Sequence, residues 1–160
     1  MKLSDLLPIE NISINIDGNS KKKVLENLSI YISGLAEGAS SEKIYRSLQA
    51  RERLGTTAIG DGIAIPHCRI AELKEITVAF FRLNNSIDFG SDDRILVDLI
   101  FVLIVPDQQD ELHLNALSLI AGVLQDKKRC IAIREAGSKQ ALHRILANSG
   151  TGVKNEISDC

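Results

Sequence analysis

The chain has no tryptophan, one methionine, three prolines and three cysteines, and aromatic residues make up only 4% of its 160 positions. Cys68, Cys130 and Cys160 form an odd, widely spaced set without a C-x-x-C pair. That spacing argues against a disulfide framework or a zinc site and predicts reduced thiols. Charge of one sign is also missing: 19 Lys and Arg stand against 21 Asp and Glu, a net charge of -2. The lysines are scattered apart from Lys21 to Lys23, so no basic face for nucleic acid is expected. The longest apolar run, Leu99 to Val105, falls far short of the roughly 20 residues of a membrane helix, and the first residues hold no signal-peptide h-region. These absences predict a soluble, cytoplasmic protein with no membrane insertion.

Cofactor signatures fail in turn. Gly55 to Gly60 has G-x-x-x-x-G spacing, but Asp61 and Gly62 stand where a P-loop requires Lys and Ser or Thr. Gly60-x-Gly62 is followed by Ile65 at the third glycine position of a dinucleotide fingerprint. No H-E-x-x-H occurs. Neighbouring His67 and Cys68 point to opposite faces of an extended backbone and lack a second ligand pair, so neither metal nor cofactor is expected.

What is present, 44% hydrophobic residues over this length, suits one domain. Asn11 to Ile16 alternates as a half-buried strand. Val24, Leu25, Leu28, Ile32 and Leu35 recur at helical spacing from Lys21, with Gly38 as the stop. A second helix, capped by Ser40 or Ser41, brings Ile44, Tyr45, Leu48 and Arg51 onto neighbouring turns before Gly55. Ile76 to Leu83 and Ile95 to Val105 read as strands, the second apolar enough to be covered on both faces and ended by Pro106. Asp107 or Asp110 can then cap a helix with His113, Leu117, Ile120 and Leu124 on one face. A short helix over Lys128 to Glu135 and another over Lys139 to Ala147, capped by Ser138, complete the pattern. The polar tail from Ser149 is expected to fray. Strands alternating with helices predict an α/β fold, a sheet with helices packed on its faces.

Gly60-Asp61-Gly62-Ile63-Ala64-Ile65-Pro66-His67 is the run with most chemical content. Pro66 fixes its own φ and pushes Ile65 toward extended backbone, so His67 is presented in a restricted direction. A neutral imidazole nitrogen can attack phosphorus and form a labile N–P bond. Arg51 offers a planar fork for phosphoryl oxygens, Thr56 or Thr57 a hydroxyl, and His113 an imidazole N–H at a helix start, while Gly60 and Gly62 let backbone N–H groups approach an anion. Bland roles compete: Arg51 as a solvated helix-end partner of Glu52, His113 as a core histidine. His143 reads as a surface residue.

Arg51-Glu52 followed by Thr57-Ala58-Ile59-Gly60-Asp61-Gly62-Ile63-Ala64-Ile65-Pro66-His67 resembles the signature of the fructose/mannitol type (type 2) enzyme IIA domains of the bacterial phosphotransferase system. Leu103 to Pro106 and Leu112-His113-Leu114 resemble the segment with that family's second histidine. The resemblance implies a single domain over 1–148 with a central mixed sheet flanked by helices. His67 would be the phosphoacceptor at its tele nitrogen, with Arg51 and His113 around the phosphate and Thr56, Thr57, Gly60 and Gly62 lining it. The implied donor is a histidine-containing phosphocarrier protein. Within the family the chain is most similar to the nitrogen-regulatory enzymes IIA, which implies partners such as potassium transport proteins or sensor kinases and a monomer or weak dimer. The alternatives are a sugar carrier passing phosphate to an enzyme IIB, or a regulatory module that is not phosphorylated. Ala58 departs from the glycine usual there and limits positive φ. Asp61 is expected to turn its carboxylate away from the phosphate or to orient His67.

Overall fold

A computed structural model describes residues 2–107 and 110–148. Its centre is strand β6 (Val97–Val105), buried along almost its whole length. Period-two alternation divides its side chains between two cores. Leu99, Phe101, Leu103 and Val105 face one layer, and Ile100, Val102 and Ile104 the other. Strand β5 (Thr77–Ile87) pairs antiparallel with β6, and β1 (Ile12–Ile16) pairs parallel with β5. The short strands β2 (Ala58–Gly60), β3 (Ile63–Ala64) and β4 (His67–Arg69) lie on the other side of β6. The order is β1-β5-β6-β3-β2, with β3 and β4 both parallel to β6 and β2 antiparallel to β3. The sheet is therefore mixed, as the family resemblance implied.

Helices α2 (Lys21–Ser33) and α3 (Ser41–Arg53) cover the Ile100 face. The Leu103 face is covered by α1 (Leu3–Leu6), α4 (Asp110–Leu124), α5 (Lys127–Glu135) and α6 (Lys139–Ala147). Side-chain caps start four of them: the hydroxyls of Ser20, Ser40 and Ser138 and the carboxylate of Asp126 accept backbone N–H groups of Lys23, Lys43, Ala141 and Arg129. Ser40, not Ser41, caps α3. Helix α4 begins at Asp110, so Asp107 lies ahead of it, and the cap position falls outside the described residues, as does the tail from Ser149.

Several boundaries differ from the sequence reading. Helix α2 stops at Ser33 with Gly34 as its cap, one turn before Gly38. Gly38 instead forms the bend into α3 at φ +97°, where a Cβ would collide with the Glu72 carbonyl oxygen. Strand β6 starts at Val97 because Asp93 accepts the Ile95 N–H and holds the preceding residues in a turn, leaving Ile95 and Leu96 exposed. Helix α1 and a single 3-10 turn at Ile9–Asn11 had no sequence signal of their own. His143 is half-buried rather than a surface residue: its Nε2 lies 3.1 Å from the Leu7 carbonyl and ties α6 to the N-terminal segment.

Candidate functional site

Strands β3 and β4 follow one another along the same edge of β6, interrupted at Ile65-Pro66. Pro66 has no N–H to give the ladder, but its carbonyl accepts the Leu103 N–H at 3.0 Å and keeps the strand on course. His67 then sits level with Leu103, Cys68 with Ile104 and Arg69 with Val105. Alternation sends Cys68 into the α2–α3 core and His67 and Arg69 to the α4 side. His67 folds back on its own chain, with Nδ1 2.8 Å from the Ile65 carbonyl oxygen. A carbonyl can only accept, so in the neutral ring Nδ1 carries the proton and Nε2 the lone pair.

Helix α4 brings His113 to the same place. The rings of His67 and His113 lie edge to face, with centroids 5.7 Å apart. Nη2 of Arg69 is 3.3 Å from His113 Nδ1, and because a guanidinium only donates, that nitrogen is the acceptor. Two imidazoles and a guanidinium thus meet at a sheet edge that is open to solvent on the Arg69 side.

Arg51 is placed differently. It occupies the last turn of α3, in the layer on the Cys68 side, and its Nη1 donates to the Gly55 carbonyl at 3.0 Å. The inward-turned residue of the Arg51-Glu52 pair is Glu52, 9% exposed. Its carboxylate accepts the Thr57 N–H at 3.1 Å and the Thr57 hydroxyl, and pairs with Lys21 Nζ at 3.3 Å. Thr56 donates its hydroxyl to the Phe89 carbonyl at 2.7 Å and accepts the Ala58 N–H. Both threonine hydroxyl protons are therefore committed within the fold.

Residues 5–149 match the family model of the phosphoenolpyruvate-dependent sugar phosphotransferase system, EIIA 2. The chain belongs to that family. A nitrogen regulatory protein of Pseudomonas aeruginosa is 35% identical over 152 residues, covering 95% of this chain and 99% of the relative. One from Bradyrhizobium diazoefficiens is 38% identical over 147 residues, covering 92% and 95%. Among solved structures, the nitrogen regulatory protein IIA-Ntr of Neisseria meningitidis superposes with a TM-score of 0.84 at 33% identity, covering 90% of this chain and 98% of that one. This enzyme IIA is thus a phosphotransferase-system component resembling nitrogen regulatory proteins over nearly its whole length. No helix among its described residues is long and apolar enough to cross a membrane.

In this enzyme IIA the glycines of the signature lie far from the histidine. The Gly62 carbonyl accepts the N–H groups of Asp98 and Leu99, five and four residues before Leu103 on β6, or about 13–16 Å along the strand. Asp61, at φ +57°, donates its N–H to the Asp93 carboxylate, and its carbonyl accepts from Arg134 Nη2. It is exposed and sits at this distant turn, so it does not orient His67; the Ile65 carbonyl does. The Asp93 carboxylate is held below its ordinary range by the Ser91 hydroxyl and the N–H groups of Asp61 and Ile95. Ala58 has no positive φ and pairs with Ala64 in β2, so its Cβ is accommodated. Burial pushes the Cys68 thiol up to about 12, which keeps it a neutral core side chain. Sequence reasoning missed Glu52 and Arg69. Period-two spacing after Pro66 was the available signal for Arg69; nothing local marked Glu52 as inward.

Proposed function

We propose that Nε2 of His67 accepts a phosphoryl group from the phosphohistidine of a histidine-containing phosphocarrier protein, and that the phosphorylation state then regulates which partner proteins bind. The observation that carries this reading is the bond from His67 Nδ1 to the Ile65 carbonyl. It holds the ring in the tautomer whose Nε2 lone pair is available for attack. As the Nε2–P bond forms, the donor's N–P bond breaks and its electron pair returns to the donor imidazole. Positive charge growing on the His67 ring strengthens the Nδ1–H bond to Ile65, so no proton has to move. The loose transition state spreads negative charge over three equatorial oxygens, which His113 and Arg51 surround. Arg51 exchanges the Gly55 carbonyl for the phosphoryl group, while Thr56, Thr57, Gly60 and Gly62 shape the loops that bring the strand to β6. Close similarity to nitrogen regulatory proteins favours a regulatory role over sugar transport, with potassium transport proteins or sensor kinases as the class of target.

Incubation with enzyme I, the phosphocarrier protein and labelled phosphoenolpyruvate tests the proposal. Acid-labile label is expected in the wild type and none in His67→Ala; label that persists in the variant overturns the assignment. Phosphorus–nitrogen coupling in the labelled protein is expected at Nε2, and coupling at Nδ1 contradicts the tautomer argument.

A further inference from the structure

We propose that the cavity between the β2–β3 turn, the loop before β6 and helix α5 binds a small zwitterion with an apolar body, of the class of the apolar α-amino acids. The cavity has a volume of about 480 Å³, within the range of small-molecule sites. It lies away from the histidines: Ile63 on its floor pairs with Leu99, four residues or about 13 Å along β6 from the level of His67. Three aliphatic side chains from two separate segments line it while half exposed, Ile95 at 48%, Leu96 at 49% and Ile131 at 54%. Single apolar side chains on a surface are ordinary, but three converging on one cavity offer cover to an apolar body. The polar wall is already fixed. Arg134 Nε donates to both Asp98 carboxylate oxygens, at 2.9 and 3.2 Å, and Nη2 donates to the Asp61 carbonyl at 2.8 Å. A Cβ on Gly62 would stand 2.8 Å from that Nη2, so the pair seats against a glycine. Asp98 and Arg134 thus neutralise one another, and the charges left over are of opposite sign. Lys127, the first residue of α5, is exposed and has no hydrogen-bond or ion-pair partner among the described residues. The Asp61 carboxylate also accepts no bond among them, since that residue engages only through its backbone. Its charge reaches the cavity floor at Cys130: burial raises that thiol, Arg134 lowers it, and the Asp126, Asp61 and Asp98 carboxylates raise it further. A plain carboxylate would meet Lys127 but be repelled by Asp61, and a plain amine the reverse. A molecule with both groups places its carboxylate at Lys127 and its ammonium at Asp61, with its side chain against Ile95, Leu96 and Ile131.

Nitrogen–proton correlation spectra of the unphosphorylated full chain, titrated with L-phenylalanine, test the site and show at once whether each variant is folded. Saturable shifts are expected at Asp61 to Ile63, Ile95 to Asp98 and Lys127 to Arg134. 3-Phenylpropanoate, which lacks the ammonium, and 2-phenylethylamine, which lacks the carboxylate, should each bind about tenfold more weakly. L-Alanine, without the apolar body, should leave these signals unmoved. Lys127→Met should weaken L-phenylalanine about tenfold, whereas Lys22→Met, on α2 across the sheet, should not. Asp61→Asn keeps a residue type suited to positive φ. It should weaken L-phenylalanine and strengthen 3-phenylpropanoate, a reversal that loss of structure would not produce. Absence of saturable shifts at these residues overturns the proposal, as do shifts centred on His67 and Arg69 instead. Equal affinity for L-phenylalanine and 3-phenylpropanoate, or unchanged binding in Lys127→Met, overturns it as well. None of these outcomes bears on the phosphoacceptor reading, because no residue of the cavity belongs to the group around His67.

Discussion

Glu52 shows how a carboxylate with no chemistry of its own holds a functional loop. It receives both donors of Thr57 and the Lys21 ammonium in a buried position, so its loss leaves the two Thr57 donors short of an acceptor and removes the ion-pair partner of Lys21. Glu52→Ala is expected to cost about 2–4 kcal/mol in urea unfolding, as for other broken buried pairs. Arg51→Ala is expected to change stability by less than about 0.5 kcal/mol, because the bond it loses is exposed. Its phosphoryl transfer should nonetheless slow; unchanged kinetics would remove Arg51 from the site. Cys68 gives a pH signature. The thiol titrates near 9 when unfolded and about 12 in the fold, so between those values the unfolded state has lost a proton that the native state keeps. Stability should fall with rising pH across that window, by up to about 1.4 kcal/mol per unit, and Cys68→Ala should remove this component; identical pH curves for the two proteins would refute it. The sequence exposed His67 through its proline and glycines, and His113 through its place at a helix start. Glu52 was hidden because helical periodicity places residues on a face without saying which of two adjacent charges turns inward.

At the scale of elements, local signals succeeded where the cause is local. Ser40 and Ser138 were legible as caps because the bond each makes spans three residues of the chain. β6 was legible because a strand covered on both faces is apolar throughout. The end of α2 was not, since Leu35 continues the apolar stripe and still packs on the core after the helix has ended at Gly34. Strands β3 and β4 owe their pairing to β6, thirty or more residues away, which no local pattern encodes. The turn between β2 and β3 depends on Gly62, at φ +81°. A Cβ there would stand 3.0 Å from the Asp98 carboxylate and 3.2 Å from the Leu96 carbonyl. Gly62→Ala is therefore expected to lower stability by about 1–3 kcal/mol, read from the denaturation midpoint. A neutral result would show that the turn tolerates an ordinary side chain.

For the whole molecule, one sheet separates two cores, and the two histidines and Arg69 gather at its edge rather than in an interior cleft. Phosphorylation there adds about -1.5 to -2 to a chain of net charge -2. Migration in native gels should therefore increase markedly while the sedimentation coefficient stays the same, because neither core is opened; a change in sedimentation would point to rearrangement or assembly. The two-sided sheet also makes the site a question of parity. His67 stands three positions after Ala64, which faces the α2–α3 core, and that odd step alone turns the imidazole toward α4 and the thiol away from it. Inserting or deleting a single residue in this stretch, even one that leaves every named side chain in place, would exchange the two faces, burying the imidazole beneath α3 and offering a thiol to His113. Spacing in this stretch is thus under a stricter constraint than the identity of its apolar residues.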